Sequence, residues 1–379
     1  MVVERTRGRR SWLAIYLMMA VPSAMTAVSA STMLPGSAEA QAIKPPPVAV
    51  GRPNAPVAPQ TLAFKPVRLV YRQTEGEFFK KPAGVFVDPK TGDMLVADSA
   101  TNLVTLLNRD GVPLFSFGYN GEVRQPSKAV VDRQGRIIVL ADVPRKVKVF
   151  SYRGEALGDF GFPGFESAAQ VLPTALMVDE AGKLYVADSA SGRILVYDED
   201  WRLVMTFGRR GEGPGAFTSV TAIAAAPSGT IYVADAQHKP AIQIFDATGT
   251  YLRGWGEHSG GPQNVSLPAG IGVDAAGRVF VLDTIRQTIA VFSPEGQYLM
   301  RFGGLGTAPG NLAFPSDLAV DATGRLYVTE GANNRLQVFE PDASGVRGPP
   351  RRQAPAGRPS REANEVRQGL GEIIKGMQK

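Results

Sequence analysis

Apolar residues along this chain gather in runs of four to seven, rich in β-branched and aromatic side chains, each cut short by Gly, Pro or Asp. Such runs suit short buried strands, whereas a helical repeat would need ten or more residues at a 3.6-residue period. An acidic residue closes one run of each group and marks a repeat: Leu95-Val96-Ala97-Asp98, Val139-Leu140-Ala141-Asp142, Tyr185-Val186-Ala187-Asp188, Tyr232-Val233-Ala234-Asp235, Phe280-Val281-Leu282-Asp283 and Tyr327-Val328-Thr329-Glu330. Successive marks lie 44, 46, 47, 48 and 47 residues apart. A fixed period of this length signals an array of one supersecondary unit.

Each unit holds four runs. In the fifth they are Ile271 to Val273, Val279 to Leu282, Ile289 to Phe292 and Tyr298 to Phe302. The first two are joined by Asp274-Ala275-Ala276-Gly277, and Asp132 to Gly135, Asp179 to Gly182 and Asp321 to Gly324 repeat this turn. Asp bonds its own turn and Gly takes the positive φ that a tight hairpin requires. Four antiparallel strands per unit and six units predict an all-β chain, a six-bladed β-propeller over residues 64–342. The sixth unit has only three runs before a Gly/Pro/Arg stretch, while Val67-Arg68-Leu69-Val70-Tyr71 precedes the first complete unit and has no blade of its own. This N-terminal strand is expected to close the last blade and so cover two exposed edges.

The ends read differently. Residues 1–40 run from Glu4-Arg5-Thr6-Arg7-Gly8-Arg9-Arg10 through an apolar stretch, Trp12 to Ala30, to Ala38-Glu39-Ala40, the order of a secretory signal or of an uncleaved N-terminal anchor. Arg9-Arg10-Ser11-Trp12-Leu13 loosely resembles a twin-arginine signal. Either reading places the body outside the cytoplasm, periplasmic or extracellular, with membrane contact only through an uncleaved N-terminus. Residues 41–63 form a Pro-rich linker, residues 343–359 a disordered Gly/Pro/Arg linker, and residues 360–379 a short amphipathic helix with Val366, Leu370, Ile373, Ile374 and Met377 on one face.

Charge follows the same division. The formal net charge is +6, from 41 Lys and Arg against 35 Asp and Glu, but residues 60–342 hold 27 basic and 30 acidic residues. A mildly acidic body argues against nucleic acid as the partner. The chain has no Cys, so disulfides, thiolate nucleophiles and Cys-ligated zinc are excluded.

The repeat resembles the NHL-repeat family: Pro173 to Asp179, Gly182 to Asp188, Arg193 to Tyr197 and Phe207-Gly208 follow its pattern, and the likeness spans about residues 64–341. Ala226 in place of Asp, Trp201 in place of a hairpin Gly and Glu330 in place of Asp depart from it. The resemblance implies a propeller that serves as an extracytoplasmic sensor, a binding platform or, in a few members, a lyase or hydrolase. Related propeller lyases hold a central metal mainly through histidines from several blades. This chain offers only His238 and His258, both in or beside the fourth blade, which cannot surround an axis.

Oxygen ligands for calcium in the channel would have to come from Asp98, Asp142, Asp188, Asp235, Asp283 and Glu330. Recurrence in every blade instead favours a structural role, capping backbone N–H groups or pairing with Arg145, Arg193, Arg286 or Arg335. Ser99 and Ser189 stand beside acidic residues without a His in reach, so no nucleophilic triad is predicted, and no cofactor is expected.

The connections between blades share one face with the loops between second and third strands, and the long connections gather there. They and their neighbours supply Tyr119, Phe162, Arg145, Lys146, Arg209, Arg210, His238 and Lys239, the aromatic and cationic types that anchor interfaces. Phe162, Phe165 and Phe217 have a second reading, as plugs between neighbouring blades. The expectation is an exported, non-catalytic, monomeric propeller that binds a protein partner in the envelope or outside the cell. The alternative is a hydrolase or lyase using a divalent metal held by acidic residues in the axial channel.

Overall fold

The computed structural model describes residues 62–142, 145–259 and 261–342; the signal-like segment, most of the Pro-rich linker, and the tail with its expected helix lie outside them. The described residues form six four-stranded antiparallel sheets, arranged as the blades of a propeller, and one two-residue parallel pair between Arg209–Arg210 and Ala216–Phe217. The innermost strands, in blade order, are Pro82–Val87, Pro126–Val131, Pro173–Val178, Val220–Ala225, Pro268–Val273 and Pro315–Val320. No helix among the described residues is long and apolar enough to cross a membrane.

Closure is as the strand count predicts. In the sixth blade Phe64–Val70 pairs with Arg335–Pro341, from Phe64 opposite Pro341 to Val70 opposite Leu336, with a bulge between Pro66 and Arg68. Asp342 N–H adds a bond to the Ala63 carbonyl at 2.8 Å.

Burial explains the run patterns. The second strands, such as Leu184–Asp188 and Val279–Asp283, are buried along their whole length because a neighbouring blade covers each face, so their sequences are continuously apolar up to the final acid. Outermost strands, such as Leu203–Phe207, alternate between covered and exposed positions.

One contact repeats between blades. An aromatic at or just past the end of five of the six outermost strands packs on the aromatic ending the third strand of the next blade: Phe117 on Phe150 at 4.8 Å between centroids, Phe160 on Tyr197 at 5.1 Å, Phe207 on Phe245 at 4.9 Å, Trp255 on Phe292 at 5.4 Å and Phe302 on Phe339 at 5.5 Å. Each such pair contributes about 0.5–1.5 kcal/mol beyond the area it buries. The same aromatics press on the glycines of the next hairpin. A Cβ on Gly154 would stand 2.7 Å from Phe117, and one on Gly249 would stand 2.6 Å from Phe207. Trp201 occupies the corresponding place in the third blade with φ of +63°, and its ring is held between Phe160 and the Arg136 guanidinium, 3.6 Å above it. At the closing seam the partner is aliphatic, since Val70 packs in one cluster with Met94 and Leu107.

The hairpin acids act as their turn chemistry predicts. Asp132 accepts from Arg136 N–H, Asp179 from Lys183 N–H and Asp274 from Arg278 N–H, at 2.8 to 2.9 Å. In the fourth blade Ala226 lacks this bond, yet the turn still closes through the Gly229 N–H and the Ala226 carbonyl at 2.8 Å.

Deleting residues 64–70 leaves Arg335–Pro341 as an unpaired edge of the sixth blade. Light scattering is expected to show association and urea unfolding is expected to lose its single transition; a deletion variant that stays monomeric and unfolds cooperatively would contradict this account of closure. A second expectation concerns alkali. Burial, reinforced by the 2.9 Å bond it donates to Asp321, pushes the Tyr327 phenol up from 10.0 to about 12. The folded state therefore holds that proton more tightly than the unfolded chain, so the stability it confers is present below pH 10 and is lost as pH climbs from about 10 to 12. Urea midpoints measured across that window should fall, and less steeply in Tyr327→Phe.

Candidate functional site: the loop face and the mouth of the axial channel

The recurring acids end the second strands on the loop-bearing face, and their carboxylates are engaged by backbone. Asp98 accepts from the N–H groups of Lys80 at 2.7 Å, Lys81 at 3.0 Å, Ala100 at 2.9 Å and Thr101 at 3.0 Å, so one side chain ties the incoming connection to the following loop. Asp188 accepts from Leu172 and Ala190, Asp235 from Thr218, Ser219, Gln237 and His238, and Asp283 from Ser266, Leu267 and Arg286. Glu330 is longer and also reaches Arg335 Nε at 2.6 Å, in a pair that is at most 1% exposed. Arg286 lies 3.5 Å from Asp283. Arg193 is exposed and Asp188 takes the Ser191 hydroxyl in its place, at 2.6 Å.

The six innermost strands enclose an axial channel whose mouth on this face is a chamber of about 410 Å3. The residue after each strand's first position faces the neighbouring blade: Ser316 Oγ donates to the Pro82 carbonyl and Thr221 Oγ1 to the Pro268 carbonyl, both at 2.7 Å. Where Ala269 lacks a hydroxyl, Thr284 makes the link to Pro315 at 2.8 Å. One position further on, four blades carry Gly84, Ala175, Ala222 and Gly270, and two carry charges, Lys128 and Asp317. These two pair across the first blade. Gly84 makes room, since a Cβ there would collide with the Ser127 carbonyl. Asp317 also accepts from Val85 N–H at 2.9 Å, and Lys128 Nζ donates to the Val85 carbonyl at 3.0 Å, so the pair satisfies the free edge of that strand. The chamber wall includes Arg145, exposed at the rim, and Thr174, whose Oγ1 is out of solvent and without a hydrogen-bond partner among the described residues.

Of the residues expected to bind, Tyr119, Arg145, Lys146, Arg209, Arg210 and Lys239 are exposed on this face. Lys146 reaches Asp159 at 3.0 Å; Lys148 chiefly, with Lys146 adding to it, holds that carboxyl below its usual range against the opposing effect of burial. Two expectations are corrected. Phe162 is 2% exposed, edge-on to Phe160 at 5.1 Å, and fills the gap between the second and third blades. Phe217 does the same between the third and fourth. His238 is also 2% exposed, because its N–H caps Asp235 and the turn tucks the ring inward, Nδ1 facing the Pro240 carbonyl at 3.2 Å. His258 braces the same corner, with Nε2 at 2.9 Å from the His238 carbonyl and Nδ1 at 3.1 Å from that of Ser266. The Lys128–Asp317 pair and Thr174 were not expected. The signal was present in the charges that replace Gly or Ala at one repeat position.

Comparison with known proteins agrees with this geometry. The NHL repeat model matches residues 312–339, and one described as a 6-bladed beta-propeller matches residues 172–255. No curated protein matches the sequence. Among solved structures, a virginiamycin B lyase from Staphylococcus aureus is 12% identical, with 74% of this chain and 99% of that one covered and a TM-score of 0.50. A gluconolactonase from Xanthomonas campestris is 16% identical, with 77% and 99% covered and a TM-score of 0.51. A protein of unknown function from Bacteroides thetaiotaomicron is 14% identical, with 74% and 76% covered and a TM-score of 0.55. At these identities the likeness is one of fold. With the ring closure and the blade count in agreement, the chain is a six-bladed β-propeller, and its residues 312–339 match the NHL repeat.

Proposed function

We propose that this chain is an exported, non-catalytic binding module whose loop-bearing face holds a protein partner in the cell envelope or outside the cell. The cluster of exposed arginines on the loop-bearing face carries the reading. On the opposite face Arg133, Arg136, Arg202, Arg278 and Arg325 pair with carboxylates, and Arg109 and Arg153 stand singly in separate hairpins. On the loop face, Arg124, Arg145, Arg193, Arg209 and Arg210 are exposed and have no carboxylate within 4.0 Å among the described residues. Gly192 lets the Arg210 backbone approach it closely, which brings Arg193 and Arg210 side by side. Guanidinium groups are more weakly hydrated than ammonium groups and meet carboxylates two bonds at a time. An acidic protein surface is the complementary partner, and the mildly acidic body disfavours a long polyanion such as nucleic acid.

The alternative, a hydrolase or lyase using calcium or another divalent ion in the channel, would draw on carboxylates already engaged. Asp98, Asp188, Asp235 and Asp283 accept backbone N–H groups, and Asp317 holds Lys128. Releasing any of them leaves buried donors without partners, at about 1–3 kcal/mol each.

The test is a photo-crosslinking residue placed at position 210 or, on the opposite face, at position 109 of the full chain in its native envelope. One discrete adduct is expected from position 210 and none from 109, and Arg193→Glu with Arg209→Glu should reduce it at least tenfold. Equal labelling from both faces, or an adduct indifferent to these charge reversals, would refute the reading. Stoichiometric, chelator-sensitive metal in the purified protein would favour the enzyme instead.

A further inference from the structure

We infer that the axial channel is also a small-molecule site, for a monocarboxylate with an apolar tail of the short- or medium-chain fatty-acid type. The head lies at the loop-face mouth and the tail in the throat below. This goes beyond protein recognition and does not depend on it.

The mouth chamber, about 410 Å3, lies within the range of small-ligand sites. Its charged lining consists of Lys128, Asp317 and Arg145. The first two bond each other and the two polar groups of Val85, so neither presents an uncompensated charge to a ligand. Arg145 remains, exposed and without a carboxylate partner among the described side chains, to which that of Asp142, opposite it in the sheet, does not belong. One carboxylate neutralises it through two parallel N–H···O bonds. A cation would meet net positive charge, and a phosphate dianion would bring one charge too many. Thr174 forms part of the same wall with its Oγ1 turned out of solvent, so Arg145 alone supplies the polar anchor.

Below the mouth the channel continues into a section of about 140 Å3 whose wall includes Val130, Leu176, Ile223, Ile271, Leu318 and Val320. Leu176, Ile223 and Ile271 line both sections, so a molecule held by its head at the rim extends directly into aliphatic surroundings. Each methylene buried there tightens binding roughly fourfold, which makes tail length the selective feature once the carboxylate has fixed orientation.

Isothermal titration of the full chain with octanoate, acetate and 1-octanol tests this. One octanoate per chain is expected, bound at least tenfold more tightly than either control, with affinity rising from butanoate to octanoate. Arg145→Gln should weaken octanoate at least tenfold, whereas Arg209→Gln, outside the chamber, should leave it unchanged. Ile223→Trp should block the tail, and its melting temperature shows whether the ring is intact; if it is not, the chain-length series with Arg145→Gln decides alone. No octanoate binding, several weak sites, or binding indifferent to Arg145→Gln would overturn the inference. Because the partner is read by crosslinking at position 210, failure of either result leaves the other standing.

Discussion

The structure depends on the contact between the end of one blade and the start of the next. Within a blade every strand but the outer two is hydrogen-bonded on both sides, yet a four-stranded sheet alone cannot bury its faces. The repeated aromatic contact, from Phe117 on Phe150 to Phe302 on Phe339, gives each blade a neighbour at a fixed angle and distance. The glycines beneath those rings follow from it, because a larger residue at position 154 or 249 would meet the aromatic before the blades could close. What reads in sequence as a Phe-Gly ending and a glycine hairpin is one interlocking joint.

That joint also separates framework from site. A feature required by every blade belongs to the framework, and the acids at the ends of the second strands meet this criterion: Asp98, Asp188, Asp235 and Asp283 bind the backbone on both sides of their loops, and Glu330 binds Ala313 N–H on one side and the Asn333 and Arg335 side chains on the other. Departures from the repeat are where chemistry can differ between blades. Lys128 and Asp317 are such departures. The channel is therefore asymmetric in charge although its walls are built from near-copies.

Blade number, strand order and the closing strand were legible because they are written in period and pattern, both local properties of the chain. The cation positions on the loop face were legible for the same reason, as long charged side chains in connections stay in solvent. Burial inside the loops was not. Phe162 and His238 sit in connections that look exposed until the neighbouring blade or the capped turn covers them, and that depends on residues such as Phe160 and Asp235 acting in three dimensions. The Lys128–Asp317 pair was hidden more deeply, because 189 residues separate its members and only the closed ring brings the second and sixth blades together over Gly84.

The closing strand carries a kinetic consequence. Phe64–Val70 is made first and finds its partner, Arg335–Pro341, only after five other blades have been synthesised, an interval on the order of tens of seconds at ordinary rates of translation. During that time an apolar strand must wait without recruiting the wrong edge. Its composition suits the delay: Lys65 and Arg68 interrupt it, Pro66 removes one donor, and the bulge that follows spoils a straight ladder. The last joint to form is thus guarded by charge and geometry at its waiting half, and the slowest event in assembly is expected to be a long-range search.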